Sequence, residues 1–234
     1  MTEKIKEIDW AKVKVISFDL DDTLWDNQGV IEKCEQDLLE FLAKEHPPIG
    51  ETFDVAGMQA ISKKLLEEDR PELDNMTVLR KEMIHQMLEQ TGGDKGLINP
   101  AFAIFYGCRS QIKIPQLTYD LLSALKNKYS LFATSNGNSN LYALGLMDYF
   151  EHHFIAGIHG RAKPSPEMLR KICDIKNIEP QELLHIGDSY ETDIKSSIAA
   201  DCQHLEIHVK DIRKLYEWLV SLFSVMPRLD RGIQ

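Results

Sequence analysis

The chain alternates between short apolar runs and longer segments in which apolar residues recur every three or four positions. Short runs rich in β-branched residues are typical of buried strands, and the three-to-four spacing is typical of amphipathic helices. The predicted strands are 13–18, 129–134, 154–156, 183–186 and 205–209. The helices predicted between them are 118–128, 139–146, 165–176 and 193–200. This alternation predicts a Rossmann-like α/β core, a parallel sheet with helices on both faces.

A long segment between the first and second predicted strands lacks any convincing strand. Its apolar residues recur at helical spacing in four stretches, which begin near residues 31, 58, 76 and 102. We therefore predict an all-helical cap domain at 27–112, inserted into an α/β catalytic core formed by residues 1–26 and 113–224. A last amphipathic helix is predicted at 211–223, and residues 225–234 are predicted to form a flexible tail.

The composition is that of a soluble globular protein and disfavours several classes. Lys and Arg total 27 and Asp and Glu total 37, and the net charge of −10 does not favour binding to nucleic acid or an anionic membrane. No apolar run is long enough for a membrane span, and the N-terminus lacks the apolar stretch of a signal peptide. The four cysteines include no CxxC pair, which predicts free thiols in a reducing cytosol. We expect a cytoplasmic protein that is a monomer or a weak homodimer.

An acidic cluster directly follows the first predicted strand, at the end where open parallel sheets bind ligands. The sequence there is Asp19-Leu20-Asp21-Asp22-Thr23. Asp19 and Asp21 alternate in extended backbone, so both can face one cavity. Two close carboxylates repel each other unless a proton or cation lies between them, which makes the pair a candidate Mg²⁺ site. The pair also suits a nucleophile and an acid–base group, although an acidic turn is the alternative interpretation.

Three further segments near strand ends carry polar groups of complementary kinds. Ser135 and Asn136 follow the second strand and can donate hydrogen bonds to an anion, or they can simply cap a helix. Lys163 can neutralise a phosphate, or it can be an ordinary solvated lysine. Asp188 follows the fourth strand, and Asp193 opens the next helix, where a carboxylate also suits the helix dipole. Together the segments predict a phosphate site in which Mg²⁺ and Lys163 offset the acidic charge.

In this order, the motifs resemble those of the haloacid dehalogenase superfamily of phosphohydrolases, and the helical insertion resembles the cap of one of its subfamilies. The resemblance implies that Asp19 is the nucleophile and forms an aspartyl-phosphate. It implies that Asp21 protonates the leaving oxygen and then activates water. It further implies that Ser135 and Lys163 bind the phosphoryl oxygens, and Asn136 is a candidate for the same role.

The resemblance also implies a metal site. Mg²⁺ is then held by the Asp19 carboxylate, the backbone carbonyl of Asp21 and Asp188. Thr23 is expected to lie behind these ligands, and Asp193 is expected to orient either the ligands or Lys163. The substrate partner implied is a small phosphorylated metabolite.

Two segments, 18–30 and 137–164, resemble more narrowly the bacterial branch that acts on FMN and on 5-amino-6-(5-phospho-D-ribitylamino)uracil, a riboflavin precursor. Both substrates are ribityl 5-phosphates that carry a flat heterocycle. Four aromatic residues could stack on such a ring, with packing inside the cap as the alternative: Trp25, Phe102, Phe105 and Tyr106.

Other functions on the same scaffold are a nucleotide or sugar-phosphate phosphatase and a phosphomutase. A non-catalytic binder is disfavoured because Asp19, Asp21, Lys163 and Asp188 are all present. Dehalogenation of 2-haloacids is disfavoured as well, because the dehalogenases that resemble this fold lack an acidic residue at the position of Asp21.

Overall fold

The structure, a computed structural model, describes residues 5–225. Within that range it contains five strands, β1 (Val15–Phe18), β2 (Ser130–Ser135), β3 (His152–Ile155), β4 (Leu183–Gly187) and β5 (Gln203–Glu206). All neighbouring strands are parallel, in the order β3-β2-β1-β4-β5. Apart from residue 225, the tail predicted at 225–234 lies outside the described residues.

The first strand lies at the centre of the sheet. All four residues of β1 are buried, and Ile16 lies between Leu131 of β2 and Leu184 of β4. The chain reaches β2 and β3 on one side of β1, and β4 and β5 on the other. Ligands of open α/β sheets bind at the carboxyl ends of strands where the strand order reverses. The residues that follow β1 therefore occupy the position at which a ligand is expected.

Helices alone occupy the long segment between β1 and the return to the sheet. They are α1 (Val30–Glu45), α2 (Pro47–Thr52), α3 (Val55–Leu66), α4 (Met76–Thr91) and α5 (Ile98–Arg109). Their apolar faces form a hydrophobic cluster of their own, which includes Leu38, Met83 and Phe105. The division of the chain into domains at residues 26 and 112 stays a prediction.

Four helices flank the sheet: α6 (Gln116–Lys126), α7 (Glu167–Lys176), α8 (Lys195–Ala199) and α9 (Ile212–Val225). Ile16 packs in one cluster with Leu121 of α6 and Leu215 of α9. Val15, its neighbour in β1, packs in another cluster with Ile172 of α7. Because successive side chains of a strand point to opposite faces, these clusters lie on the two faces of the sheet. The predicted α/β class is therefore confirmed. No helix within residues 5–225 is long and apolar enough to cross a bilayer.

The helix predicted at 139–146 is wrong. The chain there makes a single turn, which closes when the Leu146 N–H donates to the Leu141 carbonyl and the Gly145 N–H donates to the Tyr142 carbonyl. Gly145 has a φ of 67°, and a glycine with positive φ at this position ends a helix. The helix predicted at 193–200 is divided, since Tyr190–Ile194 forms a wider turn before α8 begins.

The expectation of free thiols is wrong for two of the four cysteines. Cys34 of α1 and Cys108 of α5 form a disulfide across 74 residues of sequence. The bond joins the first and last helices of the cap segment. Cys173 and Cys202 are free and buried. The spacing of the cysteines gave no sign of the pairing because it depends on how α1 and α5 pack together.

Candidate active site

The predicted site residues meet at the carboxyl edge of the sheet. Asp19 follows β1, and its backbone N–H donates to the Ile186 carbonyl of β4 at 2.8 Å. Asp188 follows β4, and Asp193 lies in the wide turn beyond it. One carboxylate oxygen from each of these three aspartates lies within 4.8 Å of the others. The structure therefore brings together acidic residues that are up to 174 positions apart in sequence.

A buried ammonium lies among these carboxylates. The Lys163 side chain is 1% exposed, and its Nζ donates to Asp19 Oδ1 at 2.7 Å and to the Thr134 carbonyl at 2.8 Å. The third N–H of Nζ donates to Asp193 Oδ1 at 2.5 Å. All three N–H donors of the lysine are therefore used, and the ammonium is held in one position.

A polar chain continues beneath Asp193 into the sheet. His185 of β4, which is fully buried, places Nε2 3.2 Å from Asp193 Oδ1 and Nδ1 3.1 Å from Ser17 Oγ. Ser17 Oγ in turn lies 2.6 Å from Thr134 Oγ1. Because Nε2 faces a carboxylate, it carries the ring proton, and Nδ1 accepts from the Ser17 hydroxyl. Burial lowers the pKa of His185, which keeps the ring neutral.

The electrostatics of this cluster follow from burial and from the lysine. Burial raises the pKa of Asp19 to about 8, against the opposing attraction of the Lys163 ammonium. Burial also favours the neutral form of Asp193, but the Lys163 ammonium and the His185 ring hold the pKa of Asp193 well below its ordinary value. Burial alone would lower the pKa of Lys163, and the two carboxylates raise it instead. Lys163 and Asp193 are therefore a charged pair at neutral pH.

Asp188 lies on the more open side of the cluster, next to the buried Thr23. The Thr23 hydroxyl lies 3.1 Å from Asp188 Oδ1 and 3.4 Å from Asp19 Oδ2. A hydroxyl has one proton, so it can donate fully to only one of these oxygens. Burial and the nearby charge of Asp193 raise the pKa of Asp188. Thr23 thus lies where the predicted orienting residue was expected, although that role stays a prediction.

The acidic cluster fits a hard divalent cation. Both oxygens of Asp193 already accept hydrogen bonds, Oδ1 from Lys163 and Oδ2 from the Ser189 N–H at 3.1 Å. Asp188 has no basic partner in the ion pairs of the described residues, and Asp19 Oδ2 has only the long Thr23 contact. Mg²⁺ prefers carboxylate and carbonyl oxygens and keeps several waters. Asp19 and Asp188 are therefore the residues that could hold the ion, with Asp193 as their support.

The carboxylate of Asp21 has both oxygens occupied by donors from other parts of the chain. Trp25 Nε1 donates to Oδ1 at 2.8 Å, and Arg109 Nη2 donates to Oδ2. Trp25 is fully buried, so the prediction that it could stack on a substrate ring is wrong. Phe105 is buried within the cap as well. The sequence shows that Trp25 is aromatic, but whether its ring is buried or faces a ligand depends on tertiary packing.

The loop after β2 lies against Asp21 and Lys163. The Ser135 Oγ accepts the Gly137 N–H at 2.9 Å, and a Cβ at Gly137 would lie 3.1 Å from Asp21 Oδ2. Glycine therefore leaves room for the close approach of this loop. The Asn136 side chain exchanges two hydrogen bonds of 2.8 Å with the backbone of Lys163. Asn136 thus positions the lysine segment, and its predicted contact with phosphate stays a prediction.

Three residues outside the predicted site contribute to this arrangement: Arg109, His185 and Ser17. His185 and Ser17 are polar residues inside otherwise apolar strands, which is a weak signal for a buried network. Arg109 ends an ordinary helix, and nothing in its local sequence indicates that it reaches Asp21.

Comparison with known proteins agrees with this geometry. The profile of the haloacid dehalogenase-like hydrolases matches residues 13–201. The chain is 32% identical over 229 residues to the Escherichia coli 5-amino-6-(5-phospho-D-ribitylamino)uracil phosphatase YigB, covering 94% of this chain and 92% of YigB. It is 26% identical to a glyceraldehyde 3-phosphate phosphatase of Pyrococcus furiosus, covering 78% and 75% of the two chains.

Solved structures with the same fold include a 2-haloacid dehalogenase from Pseudomonas syringae. It is 28% identical, with a TM-score of 0.77 over 88% of this chain and 99% of that chain. A second is the HAD-hydrolase YfnB from Bacillus subtilis bound to magnesium, with 20% identity and a TM-score of 0.62 over 89% and 99% of the two chains. At that identity, the likeness to YfnB shows the fold alone.

Proposed function

This chain is a member of the haloacid dehalogenase-like hydrolase family, and on that premise we propose that it is a Mg²⁺-dependent phosphatase of small phosphate monoesters. The observation that carries the proposal is the Lys163 ammonium, buried between Asp19 and Asp193 and beside Asp188. A dianionic phosphate cannot approach such an acidic cluster unless positive charge is provided there. The lysine provides one such charge, and a divalent cation on Asp19 and Asp188 provides the rest.

In the proposed reaction, Asp19 is the nucleophile in its ionised form, which a divalent cation bound beside it would favour against the burial that raises its pKa. A carboxylate oxygen of Asp19 attacks phosphorus, the bond to the ester oxygen breaks, and an aspartyl-phosphate forms. The leaving oxygen takes a proton from Asp21. A water molecule then attacks the phosphorus of the aspartyl-phosphate and gives its proton to Asp21, the bond between phosphorus and the Asp19 oxygen breaks, and inorganic phosphate and the free Asp19 carboxylate result. Lys163 holds Asp19 Oδ1 at 2.7 Å, so the orientation of the nucleophile is set before substrate binds.

A metal ion bound at this site would supply positive charge to offset the charge of the phosphoryl group. Its proposed ligands are the carboxylates of Asp19 and Asp188 and the backbone carbonyl of Asp21. Ser135 and Lys163 are proposed to bind the phosphoryl oxygens. The Ser135 hydroxyl is suited to this because its oxygen already accepts the Gly137 N–H, which leaves its proton free to donate.

For the substrate we propose a ribityl 5-phosphate, either 5-amino-6-(5-phospho-D-ribitylamino)uracil or FMN. The support is the 32% identity to YigB across nearly the whole of both chains. The likeness to a 2-haloacid dehalogenase does not favour that reaction here, because Asp21 provides an acid–base group that phosphate transfer needs. A nucleotide or sugar-phosphate phosphatase and a phosphomutase remain the alternatives on this scaffold.

Phosphate release from a panel of monoesters, with and without Mg²⁺, tests the proposal. The panel contains both ribityl phosphates, nucleoside monophosphates, hexose phosphates and glyceraldehyde 3-phosphate. We expect Mg²⁺-dependent hydrolysis with a preference for the ribityl phosphates. A preference for nucleotides or hexose phosphates would overturn the substrate, and transfer to a second sugar hydroxyl would identify a mutase.

The covalent step has its own test. Asp19→Asn removes the nucleophilic oxygen but keeps the size of the side chain, so we expect turnover to be lost while the fold is retained. Asp174→Asn is the matched control, because Asp174 is an exposed aspartate on α7, and it should retain wild-type activity. Hydrolysis by Asp19→Asn at more than a trace of the wild-type rate would rule out the aspartyl-phosphate.

A further inference from the structure

Arg109, the last residue of the cap helix α5, reaches into the site beside Asp21. Its side chain is 3% exposed, and Nη2 contacts both Asp21 Oδ2 and Ser139 Oγ, the latter at 2.9 Å. Nη1 donates to Asn27 Oδ1 at 3.0 Å. One guanidinium therefore joins the end of the cap, the segment after the first motif and the loop after β2.

We propose that Arg109 is a positioning residue that holds the Asp21 carboxyl group in the orientation needed for acid–base catalysis. This inference rests on the proposed phosphatase function. Trp25 and Arg109 approach Asp21 from two segments and bind its two oxygens separately. Two donors on two oxygens fix the plane of the carboxyl group, whereas one donor leaves it free to rotate about the Cβ–Cγ bond.

The geometry favours this role over direct substrate binding. The two terminal nitrogens of Arg109 are engaged by three side chains, and almost none of the residue is exposed. Those contacts are made to Asp21, Ser139 and Asn27, and among the described residues none of them is to Asp19, the proposed nucleophile. Lys163 contacts Asp19 directly, and Ser135 ends the neighbouring strand with its hydroxyl proton free, so both are better placed to bind a phosphoryl group on Asp19.

The protein contains a suitable control in Arg80. Arg80 is a cap arginine whose side chain is 12% exposed and pairs with Glu35 at 3.1 Å. Its guanidinium also lies over the Phe105 ring, 3.6 Å from the centroid. Both arginines are thus buried cap residues in ion pairs, but only Arg109 contacts Asp21. Loss of either arginine disturbs cap packing, and loss of Arg109 alone disturbs the acid–base group.

The test compares two leaving groups in Arg109→Gln. The constant kcat/KM reports the reaction up to the first departure of the leaving group. An alkyl phosphate needs a proton from Asp21 at that step, and p-nitrophenyl phosphate, with its stable leaving anion, does not. General acid–base catalysis contributes about 10²–10⁴-fold. We expect kcat/KM for the best alkyl phosphate of the panel to fall at least about tenfold more than kcat/KM for p-nitrophenyl phosphate.

Two more variants keep the test decisive if Arg109→Gln does not fold, as judged by circular dichroism. Arg109→Lys keeps a charge and one donor for Asp21. The difference between its losses of kcat/KM on the two substrates should therefore be smaller than in Arg109→Gln. Ser139→Ala removes one of the side chains that hold the guanidinium, and it should shift the ratio in the same direction as Arg109→Gln. Arg80→Gln should leave the ratio of the two substrates at its wild-type value.

An equal loss on both substrates in all Arg109 variants overturns the positioning role, because a structural or phosphate-binding residue acts on both substrates alike. That outcome leaves the proposed function intact, since the wild-type protein is still active. If wild-type protein with Mg²⁺ hydrolyses neither substrate, the proposed function itself is overturned, and the inference about Arg109 is overturned with it.

Discussion

Removal of the Asp193 carboxylate tests whether the buried polar network beneath the nucleophile stabilises the fold. Asp193→Ala removes the acceptor of three donors, the Lys163 ammonium, the His185 Nε2–H and the Ser189 backbone N–H. Lys163 keeps its contact with Asp19, so the ammonium is not left without a partner. His185 has no such alternative, because its other nitrogen already accepts from a serine hydroxyl.

The expected loss follows from these contacts. Breaking a buried ion pair costs about 3–5 kcal/mol when one charge is left unpaired. Because Lys163 keeps its contact with Asp19, we expect a smaller loss here, of about 2–3 kcal/mol. A buried donor without an acceptor costs about 1–3 kcal/mol. The His185 ring is fully buried and bears that cost, whereas solvent can reach Ser189, which is partly exposed. The free energy of unfolding should therefore fall by about 3–6 kcal/mol.

Urea unfolding at pH 7 without added metal, followed by circular dichroism, measures this loss. Asp193→Asn keeps one acceptor oxygen, and its loss should lie between those of wild type and Asp193→Ala. Asp211→Ala is the control, because Asp211 is an exposed aspartate paired with Lys214 on the surface, and its removal should leave the free energy unchanged within error. A loss below about 1 kcal/mol in Asp193→Ala would refute the reasoning, since neither the ion pair nor the His185 donor would then contribute.

Three further predictions concern the cap, the pH response and the cysteines. Asp74→Ala removes the cap carboxylate that binds Arg161 Nε at 2.6 Å, beside the lysine segment. The loss of about 1 kcal/mol of binding free energy should raise KM about fivefold with little change in kcat. Burial lowers the pKa of His153 from 6.5 to about 4, so between these values the unfolded chain binds a proton that the folded chain does not. Stability is therefore lost as pH falls from 6.5 towards 4, by about 3 kcal/mol from this residue, and His153→Gln should show a flatter pH profile in urea unfolding. Protein purified without reductant and denatured in urea should titrate as two free thiols, and as four after reduction, because Cys34 and Cys108 are bonded.

The position of the site could be predicted from the sequence because it depends on local patterns. Asp19 and Asp188 directly follow short buried runs, and parallel strands place their carboxyl ends at one edge. Lys163 was harder to place, since a lysine next to a proline is usually solvated. Only the need of the other segments for a positive charge indicates its role.

The contacts that the sequence did not predict are those made by tertiary packing. Arg109 lies 88 residues from Asp21, and the pairing depends on the path of five helices between them. The disulfide has the same origin, since Cys34 and Cys108 meet only because α1 and α5 pack side by side. The error at 139–146 is different in kind, because Gly145 is a local signal that ends a helix, and its φ of 67° shows that it does so here.

The charges of the assembled site connect the two proposals, a positioning role for Arg109 at Asp21 and a metal ion at Asp188. Among the described residues, four carboxylates meet there, those of Asp19, Asp21, Asp188 and Asp193, and two basic side chains pair with three of them. With all four carboxylates ionised, the excess is two negative charges, which is the charge that one divalent cation would neutralise. Burial raises the pKa of Asp19 to about 8, so without such a cation protonation removes part of this charge instead. In the proposed mechanism Asp21 alternates between its protonated and ionised forms, and Arg109 is the basic residue that contacts the ionised form. Without Arg109, the ionised form of Asp21 would lack a basic partner among the described residues.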